Sequence, residues 1–332
     1  MSAAGAAGAA PPAAGGAGSG EGKAYFLAGR DRLAMLPDAS EPDLSALLLD
    51  RHYGYRASVS VLSSEVERTF EVRVPGGQRY IFKSSSRAHA VESFRFQAAV
   101  LDGLRGVPGV IAPHIVPTLS GELMFDQGDV GGYLQSRIGG APLHEEPRSQ
   151  VLLYDVGAAL ARINVAMAGI DAPAARRPVL WNLSCWPWLA ELERYLPVGE
   201  TLRQVCFAMA QYREHVLPRI GALQWQVTHN DPSPFNMIKA DDGIAFIDFG
   251  DGGWNPRLQD LAIAAAHFAT QEDTPLGGAE YVNTWRSHLF PADAPYIMKN
   301  VHRAERGLSI LSALDGPAAE VAVRAAALLG RP

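Results

Sequence analysis

The chain has 332 residues, 48% of them hydrophobic, and this length exceeds one ordinary core and predicts two lobes. It is mildly acidic, with 35 Asp and Glu against 29 Lys and Arg, and it has no basic run typical of binding to nucleic acid or an anionic membrane. No apolar stretch reaches the length of about 20 residues that a membrane-spanning helix needs. Cys185 and Cys206 fit no metal-binding spacing and are typical of thiols in a reducing compartment, so we expect a cytoplasmic protein.

The N-terminal segment consists almost entirely of Ala, Gly, Pro and Ser. Such a segment has little apolar surface to bury, so we predict a disordered tail over residues 1–22. It also lacks the basic start and the Leu-rich centre of a secretion signal.

Strand periodicity dominates the next part of the chain, after a short predicted helix at 43–52. Runs of β-branched and aromatic residues predict an antiparallel meander, with a turn at 75–77. Its predicted strands are 58–62, 69–74 and 79–83. A helix at 91–105 and two further strands, at 121–125 and 133–138, complete this part.

Helical periodicity dominates after Gly139 and Gly140, with one β interruption at 225–248. The predicted helices are 149–168, 186–196, 200–220, 257–270, 294–313 and 316–329. The chain therefore predicts an α+β bilobal fold, with a small antiparallel β N-lobe at 23–138 and a mostly helical C-lobe at 139–332. A ligand cleft is expected between such lobes.

The segment 228–251, THNDPSPFNMIKADDGIAFIDFGD, carries the candidate chemistry. Asp231 and Asn236 lie on one loop, and Asp248 ends a strand that a hairpin would return beside that loop. Phosphoryl transfer needs oxygen ligands for metal ions and a group that orients the attacking hydroxyl. We predict Asp231 as the catalytic base or orienting group, and Asn236 and Asp248 as ligands of Mg²⁺. The alternative is that these are ordinary polar turn residues, but their joint spacing favours the chemistry.

This pattern, His-x-Asp-x4-Asn followed by Ile-Asp-Phe-Gly-Asp, resembles the aminoglycoside phosphotransferase and choline kinase superfamily, which has the protein-kinase-like fold. Residues 224–268 are similar to the subgroup containing hydroxylysine kinase and the kinase domains fused to class III aminotransferases. The similarity extends over about residues 45–270 and fades beyond about 272. It implies a kinase that transfers the γ-phosphate of GTP or ATP to a hydroxyl of an amino acid or amino alcohol.

The resemblance also implies that Lys83, at the end of a strand, contacts the nucleotide phosphates. Such a lysine is usually held by a helix glutamate, but this chain has Arg95 where the family tends to carry an acid. Glu92 is a candidate substitute, and an ion pair from elsewhere is the alternative. The loop expected to cover the nucleotide, 62–69, contains no glycine, so backbone amides or the hydroxyls of Ser63 and Ser64 would contact the phosphates unless this is a plain polar turn.

Further candidates surround the central motif. We expect His229 to pack the catalytic loop rather than bind metal, because no partner has suitable spacing. Asp260 is expected to brace that loop from the next helix. Asp251 is a candidate for binding metal or a substrate ammonium group, with an exposed loop acid as the alternative, and Trp181 is a core residue that could border the substrate site.

Two classes of function remain open from the sequence. The first is a small-molecule kinase, with hydroxylysine, homoserine, choline, ethanolamine or an aminoglycoside as the acceptor. The second is a pseudokinase that keeps the fold and has lost turnover. The complete set of Lys83, Asp231, Asn236 and Asp248 favours the enzyme.

Overall fold

The structure, a computed structural model, describes residues 20–33, 41–62, 67–147, 149–189, 196 and 198–269. Most of the predicted disordered tail, at 1–19, lies outside these residues. So do the helices predicted at 294–313 and 316–329.

An antiparallel sheet with three preceding or adjoining helices makes up the first part of the chain. The helices are α1 (Gly20–Leu33), α2 (Pro42–Tyr53) and α3 (Ala88–Gly103). The strands are β1 (Ser58–Leu62), β2 (Arg68–Arg73), β3 (Arg79–Ser85), β4 (Ile115–Val116), β5 (Phe125–Asp126) and β6 (Gly131–Ser136). The sheet order is β1-β2-β3-β6-β4, and β5 also pairs with β6.

Side-chain alternation on this sheet separates a core face from a polar face. Phe70, Val72, Phe82 and Leu134 are buried in a cluster that also includes Leu49 of α2. On the other face of the central strands, Lys83 of β3 lies between Thr69 of β2 and Tyr133 of β6. The sheet thus presents the lysine on the side opposite its own hydrophobic core.

Two details of the sheet differ from the sequence prediction. The strand predicted at 121–125 is reduced to the pair Phe125–Asp126, and β4 was not predicted. Both are two-residue strands held by their neighbour β6. Such short strands leave no period-2 pattern in the sequence, so only tertiary pairing defines them.

The second part of the chain is mostly helical and contains two small sheets. Its helices are α4 (Gln150–Met167), α5 (Trp186–Leu189), α6 (Glu200–Gln211) and α7 (Leu258–Ala269). Its strands are β7 (Ala141–Pro142), β8 (Trp225–Thr228), β9 (Met237–Ala240), β10 (Gly243–Phe246) and β11 (Gly253–Pro256). The sheets are β10-β9-β7 and β11-β8. The helix predicted at 200–220 continues after α6 through a π-helix, Tyr212–Val216, and a 3-10 helix, Leu217–Ala222.

The chain enters the second sheet immediately after its glycine pair. Ala141 and Pro142 pair with Lys239 and Ile238 of β9. Gly140 has a φ of 129°, and a Cβ at this position would collide with the Lys239 carbonyl oxygen. Only glycine allows this close approach of two backbones, which places the start of β7 against the hairpin of β9 and β10.

The sequence prediction assigns most of α1 to the N-lobe, but this helix packs on the helical part of the chain. Tyr25 and Phe26 are buried in a cluster with Leu180, Trp181 and Met209 of the helical part. The assignment of residues 23–138 to the N-lobe therefore does not describe α1, because its aromatic face needs an apolar partner and finds it in the C-lobe.

The helix α3 joins the two parts. It contacts β3 and β6 on one side and the segment Phe249–Asp251 on another. Phe94 and Phe96 lie about 200° apart around the helix, on nearly opposite sides, and both are fully buried. The α+β bilobal fold predicted from the sequence is confirmed, and α3 lies at the junction of its lobes. Among the described residues, no helix is long and apolar enough to cross a membrane.

Candidate active site

A hairpin of β9 and β10 brings the three predicted polar residues together. Phe246 pairs with Met237, and the Ile247 amide then donates to the Asn236 carbonyl oxygen at 3.0 Å. The chain continues directly into Asp248, which therefore returns beside the loop that carries Asp231. The spacing of the motif in the sequence is explained by this short-range pairing.

Asn236 is bonded to Asp231 within the loop. Its Nδ2 donates to the Asp231 backbone oxygen at 3.1 Å and to Asp231 Oδ2 at 3.0 Å. Both partners are acceptors, so the amide nitrogen must face Asp231 and the amide oxygen is turned to the other side. Asn236 thus orients the Asp231 carboxylate, and its own amide oxygen faces away from Asp231.

Asp248 has a backbone conformation that is uncommon outside glycine. Its φ is 59° and its ψ is 73°, in the left-handed region that Asp tolerates better than most residues. The side chain is 55% exposed, and its Oδ1 accepts a hydrogen bond from Lys83 Nζ at 3.0 Å. Conformations of this kind often occur at functional sites, where surrounding contacts hold them.

Lys83 connects the two lobes from its position on β3. Its Nζ lies 3.0 Å from Asp248 Oδ1, 3.1 Å from Glu67 Oε2 and 3.2 Å from Gln97 Oε1. Burial by itself lowers the pKa of this ammonium group, but the nearby carboxylates of Asp248 and Glu67 outweigh burial and hold the pKa well above its ordinary value. The lysine is therefore a fixed positive charge at neutral pH.

The structure does not bring Glu92 to Lys83, so that candidate pairing is wrong. Glu92 Oε2 pairs instead with Arg32 of α1 at 3.1 Å. The residue of α3 that reaches Lys83 is Gln97, and the two positions lie about 140° apart around a helix of this pitch. The ion pair comes from Glu67, just before β2. An ion pair from elsewhere is the alternative that the sequence left open.

Glu67 was missed because it lies outside the helix where such an acid was sought. A signal was present in the sequence, because the hairpin predicted from strands 69–74 and 79–83 brings the residues just before its first strand near the end of its second, where Lys83 lies. Arg95, at the position where the family tends to carry an acid, faces outward and pairs with Asp126. Ser63 and Ser64, predicted to contact phosphates, lie outside the described residues.

His229 is fully buried behind the catalytic loop. Its Nδ1 accepts from the Asp231 amide at 3.3 Å, and its Nε2 lies 3.0 Å from the Ile247 carbonyl oxygen. An imidazole that accepts at Nδ1 carries its proton on Nε2, so the contacts assign a neutral ring that donates to Ile247. The ring also packs against Phe249, with the ring centroids 4.6 Å apart.

Asp260, on α7, receives two backbone amides of the same loop. Oδ2 accepts from the His229 amide at 3.0 Å, and Oδ1 accepts from the Asn230 amide at 2.7 Å. The carboxyl group is completely buried, and burial raises its pKa above the usual range for Asp. Asn230 has a φ of 64°, so these bonds hold a second residue in left-handed conformation.

Asp251 and Trp181 are in contact beside this loop. Trp181 Nε1 donates to Asp251 Oδ1 at 3.0 Å, and Asn230 Nδ2 donates to the Asp251 backbone oxygen at 2.9 Å. Trp181 is buried, whereas Asp251 is half-buried. The indole therefore fixes the direction of one Asp251 oxygen.

Arg177 supports the loop that follows Asp248, and the sequence contained no signal for it. One guanidinium nitrogen donates to the Gly250 carbonyl oxygen at 2.6 Å, and the group lies over the Phe96 ring at 4.3 Å. Burial lowers the pKa of Arg177 to about 10, so it stays charged at neutral pH. It joins the helix α3 to the Asp-Phe-Gly segment.

The residues present suit magnesium better than a transition metal. Within the described parts of the chain, no group of three or more His, Cys, Asp or Glu side chains is arranged to hold a metal ion. The candidate ligands are instead the Asp248 carboxylate and the Asn236 amide oxygen. Magnesium accepts such hard oxygen ligands and keeps several of its waters, so this small set fits it.

The structure has two lobes. A buried lysine lies on the sheet of the first lobe, and a hairpin in the second lobe carries the acids. This combination defines a phosphotransferase of protein-kinase-like fold. The model of the phosphotransferase enzyme family (APH) matches residues 58–296, and the chain belongs to this family. The protein is therefore a small-molecule phosphotransferase, and the predicted family and enzyme class are confirmed.

The chain is similar to several characterised proteins. Hydroxylysine kinase of Danio rerio is 25% identical over 285 residues, which cover 77% of this chain and 79% of that protein. The structure of the microcompartment-associated aminopropanol kinase has a TM-score of 0.53 at 18% identity, and the match covers 82% of this chain and 97% of that one. The GDP and kanamycin complex of APH(2")-IIia has a TM-score of 0.52 at 12% identity, and the match covers 82% of this chain and 89% of that one. The two structures establish the fold.

Proposed function

We propose that the protein transfers the γ-phosphate of GTP or ATP to a hydroxyl of a small amino acid or amino alcohol, with 5-hydroxylysine as the first acceptor to test. One observation carries the proposal. Lys83 and Asp248 meet across the lobes at 3.0 Å, and the bonded pair of Asp231 and Asn236 lies on the adjoining loop. These are the cation, metal ligands and hydroxyl-orienting group that phosphoryl transfer requires.

Each residue has a distinct task in this proposal. Lys83, kept charged by its carboxylate partners, binds phosphate oxygens of the nucleotide. Asp231, oriented by Asn236, aligns the acceptor hydroxyl and takes its proton. Asp248 and Asn236 hold Mg²⁺, which when bound neutralises charge on the phosphates. His229 and Asp260 keep the loop in position and do not touch the reacting atoms.

The acceptor class is supported by similarity and by charge. The relative in Danio rerio is a hydroxylysine kinase, and one structure of the same fold is an aminopropanol kinase. Both names describe acceptors that carry an ammonium group near a hydroxyl. We propose that Asp251, whose carboxylate is oriented by Trp181, binds this ammonium group. The net charge of −6 also favours a cationic or zwitterionic acceptor.

Aminoglycosides are the main competing acceptors, since a structural neighbour is a complex with kanamycin. A polycationic ligand needs a wider acidic cleft than a single amino alcohol does. The segment 298–308, MKNVHRAERGL, adds basic groups to the C-terminal part of the chain, which argues against such a ligand. Homoserine, ethanolamine and choline remain alternatives within the favoured class.

The test measures release of nucleoside diphosphate with magnesium, with ATP and GTP in separate series. The acceptors are hydroxylysine, homoserine, ethanolamine, choline and kanamycin, and the Asp231→Asn variant serves as the blank for hydrolysis. We expect turnover with hydroxylysine to exceed that with the other four. A preference for kanamycin would reject the acceptor class and leave the kinase activity standing.

A pseudokinase would give a different result in the same assay. It would bind nucleotide, as a thermal-shift titration detects, and release no diphosphate with any acceptor. That combination would reject catalysis by this chain.

A further inference from the structure

Lys83 has two carboxylate partners that differ in their surroundings. The Glu67 side chain is 9% exposed and lies 3.1 Å from Lys83 Nζ, at Oε2. The Asp248 side chain is 55% exposed and lies 3.0 Å from the same nitrogen. One partner is thus enclosed with the lysine, whereas the other is exposed to solvent.

The exposed partner has a second task in the proposed reaction. Asp248 is a proposed magnesium ligand, and an oxygen that coordinates the metal is a weaker partner for Lys83. A buried ammonium group that loses its carboxylate is strongly destabilised, because burial penalises an unpaired charge. Lys83 therefore needs a carboxylate that stays in place when the metal-nucleotide complex binds.

Gln97 of α3 fixes the enclosed carboxylate. Its Oε1 accepts from Lys83 Nζ at 3.2 Å and from the Tyr133 hydroxyl at 2.8 Å. Its Nε2 donates to Glu67 Oε1 at 3.2 Å and to Ser93 Oγ at 3.1 Å. Lys83 can only donate and the Glu67 carboxylate can only accept, so the orientation of the amide is determined.

We propose that Glu67 is the positioning residue that keeps Lys83 directed at the nucleotide phosphates when Asp248 binds magnesium, with Gln97 holding the Glu67 carboxylate. The proposal rests on the kinase function proposed above. It places the required acid just before β2, within the predicted nucleotide-covering segment 62–69, rather than on α3.

The first experiment compares Glu67→Gln with the natural protein. Mg-ATP or Mg-GTP is used, whichever the natural protein binds, and both the Kd and the steady-state constants are measured. We expect kcat/KM for the nucleotide to fall about 10- to 100-fold, the range expected when a buried charged group loses a hydrogen-bonded partner. KM for the acceptor should stay unchanged, which a general loss of structure would not produce.

The second experiment moves the carboxylate onto the helix. The double variant Glu67→Gln with Gln97→Glu keeps the net charge and exchanges the two groups that contact Lys83 Nζ. The new helix carboxylate would lie where Gln97 Oε1 now accepts from Lys83 at 3.2 Å, and the new amide at 67 can donate to it. We expect kcat/KM within about tenfold of the natural protein, which is recovery of at least part of the single-variant loss.

The single variant Gln97→Glu completes the double-mutant cycle. It places two carboxylates against each other, so we expect a loss comparable to that of Glu67→Gln. Glu122→Gln, in an exposed loop of the same lobe, is the matched control and should leave every constant unchanged. Thermal unfolding of each variant reports whether it is folded. If a single variant does not fold, the double variant, which keeps the net charge, is compared directly with the natural protein.

The outcomes separate the inference from the proposed function. If the natural protein binds neither nucleotide, the proposed function is rejected, and the role of Glu67 is rejected with it. If the natural protein binds and Glu67→Gln stays within about twofold of it, only the role of Glu67 is rejected. A folded double variant whose kcat/KM is no higher than that of Glu67→Gln would also overturn the inference. A carboxylate placed against Lys83 would then fail to restore the lost activity.

Discussion

The two loops of the active site are held in different ways. The catalytic loop, residues 229–236, is supported from behind by Asp260, which lies on a helix of the same lobe. The Asp-Phe-Gly loop, residues 248–251, is contacted by Lys83 of the other lobe and by Arg177, which stacks on α3. One loop is therefore fixed within a lobe, whereas the other lies at the junction of the two.

This difference indicates how each loop responds to binding. The catalytic loop keeps its shape in the free protein, because its backbone amides and buried ring are already satisfied. The position of Asp248 depends on the lobes being correctly placed, since Lys83 of the other lobe contacts it. In the proposed reaction its carboxylate also binds the metal-nucleotide complex. Changes at the first loop should affect chemistry or folding, and changes at the second should affect magnesium-dependent binding.

The largest expected effect is on turnover and comes from Asp231→Asn. The amide cannot take the hydroxyl proton, so kcat should fall by about 10²- to 10⁴-fold. Binding of the magnesium-nucleotide complex should change little, and it is measured in parallel by titration calorimetry. Asp242→Asn, in the exposed turn of the same hairpin, is the control. A near-natural rate for Asp231→Asn would remove Asp231 from its proposed role.

Asp248→Ala should act on binding. It removes a proposed magnesium ligand. Because even the loss of an outer-sphere partner costs a metal site about 10- to 100-fold, we expect the affinity for the metal-nucleotide complex to fall by about 100-fold. The affinity for nucleotide without metal should change much less. Equal losses with and without magnesium would contradict a ligand role and would make Asp248 only a partner of Lys83.

Asp260→Asn should lower stability. The amide has a single acceptor oxygen, so one of the two backbone amides of His229 and Asn230 would face an N–H group. A buried donor without its acceptor predicts a loss of about 2–3 kcal/mol in the free energy of unfolding. Urea unfolding measures it, with the exposed Asp155→Asn of α4 as the control. A loss no larger than that of the control would mean that the two hydrogen bonds accepted by Asp260 do not stabilise the fold.

The smallest expected effect is that of Arg177→Lys. Lysine keeps the charge but loses the flat group that stacks on Phe96 and donates to Gly250, so we expect about 1–2 kcal/mol less stability. The affinity for the magnesium-nucleotide complex should fall as well, since Gly250 lies two residues from Asp248. Arg176→Lys is the control, because Arg176 stacks on Trp254 instead. An unchanged magnesium affinity would show that Arg177 supports the fold alone.

Much of the catalytic set could be predicted because it depends on short-range structure. Asp231, Asn236 and Asp248 lie on one loop and one hairpin, so turn residues and alternating strands predict their proximity. The partner of Lys83 could not be found in the same way. Glu92 lies one helical turn before Arg95, the position where the family tends to carry an acid. The rotation of α3 turns Glu92 toward Arg32, and Gln97 faces the lysine instead.

The sequence by itself determined the two-lobe architecture, the family and the hairpin that returns Asp248 to Asp231, because periodicity and turn chemistry are local properties. Only the tertiary structure decided that Glu67 pairs with Lys83, that Arg177 supports Gly250 and that α1 packs on the C-lobe. These contacts join elements far apart in the chain. They depend on how α3 is rotated and where it lies between the lobes, and the packing of many side chains at once sets that geometry.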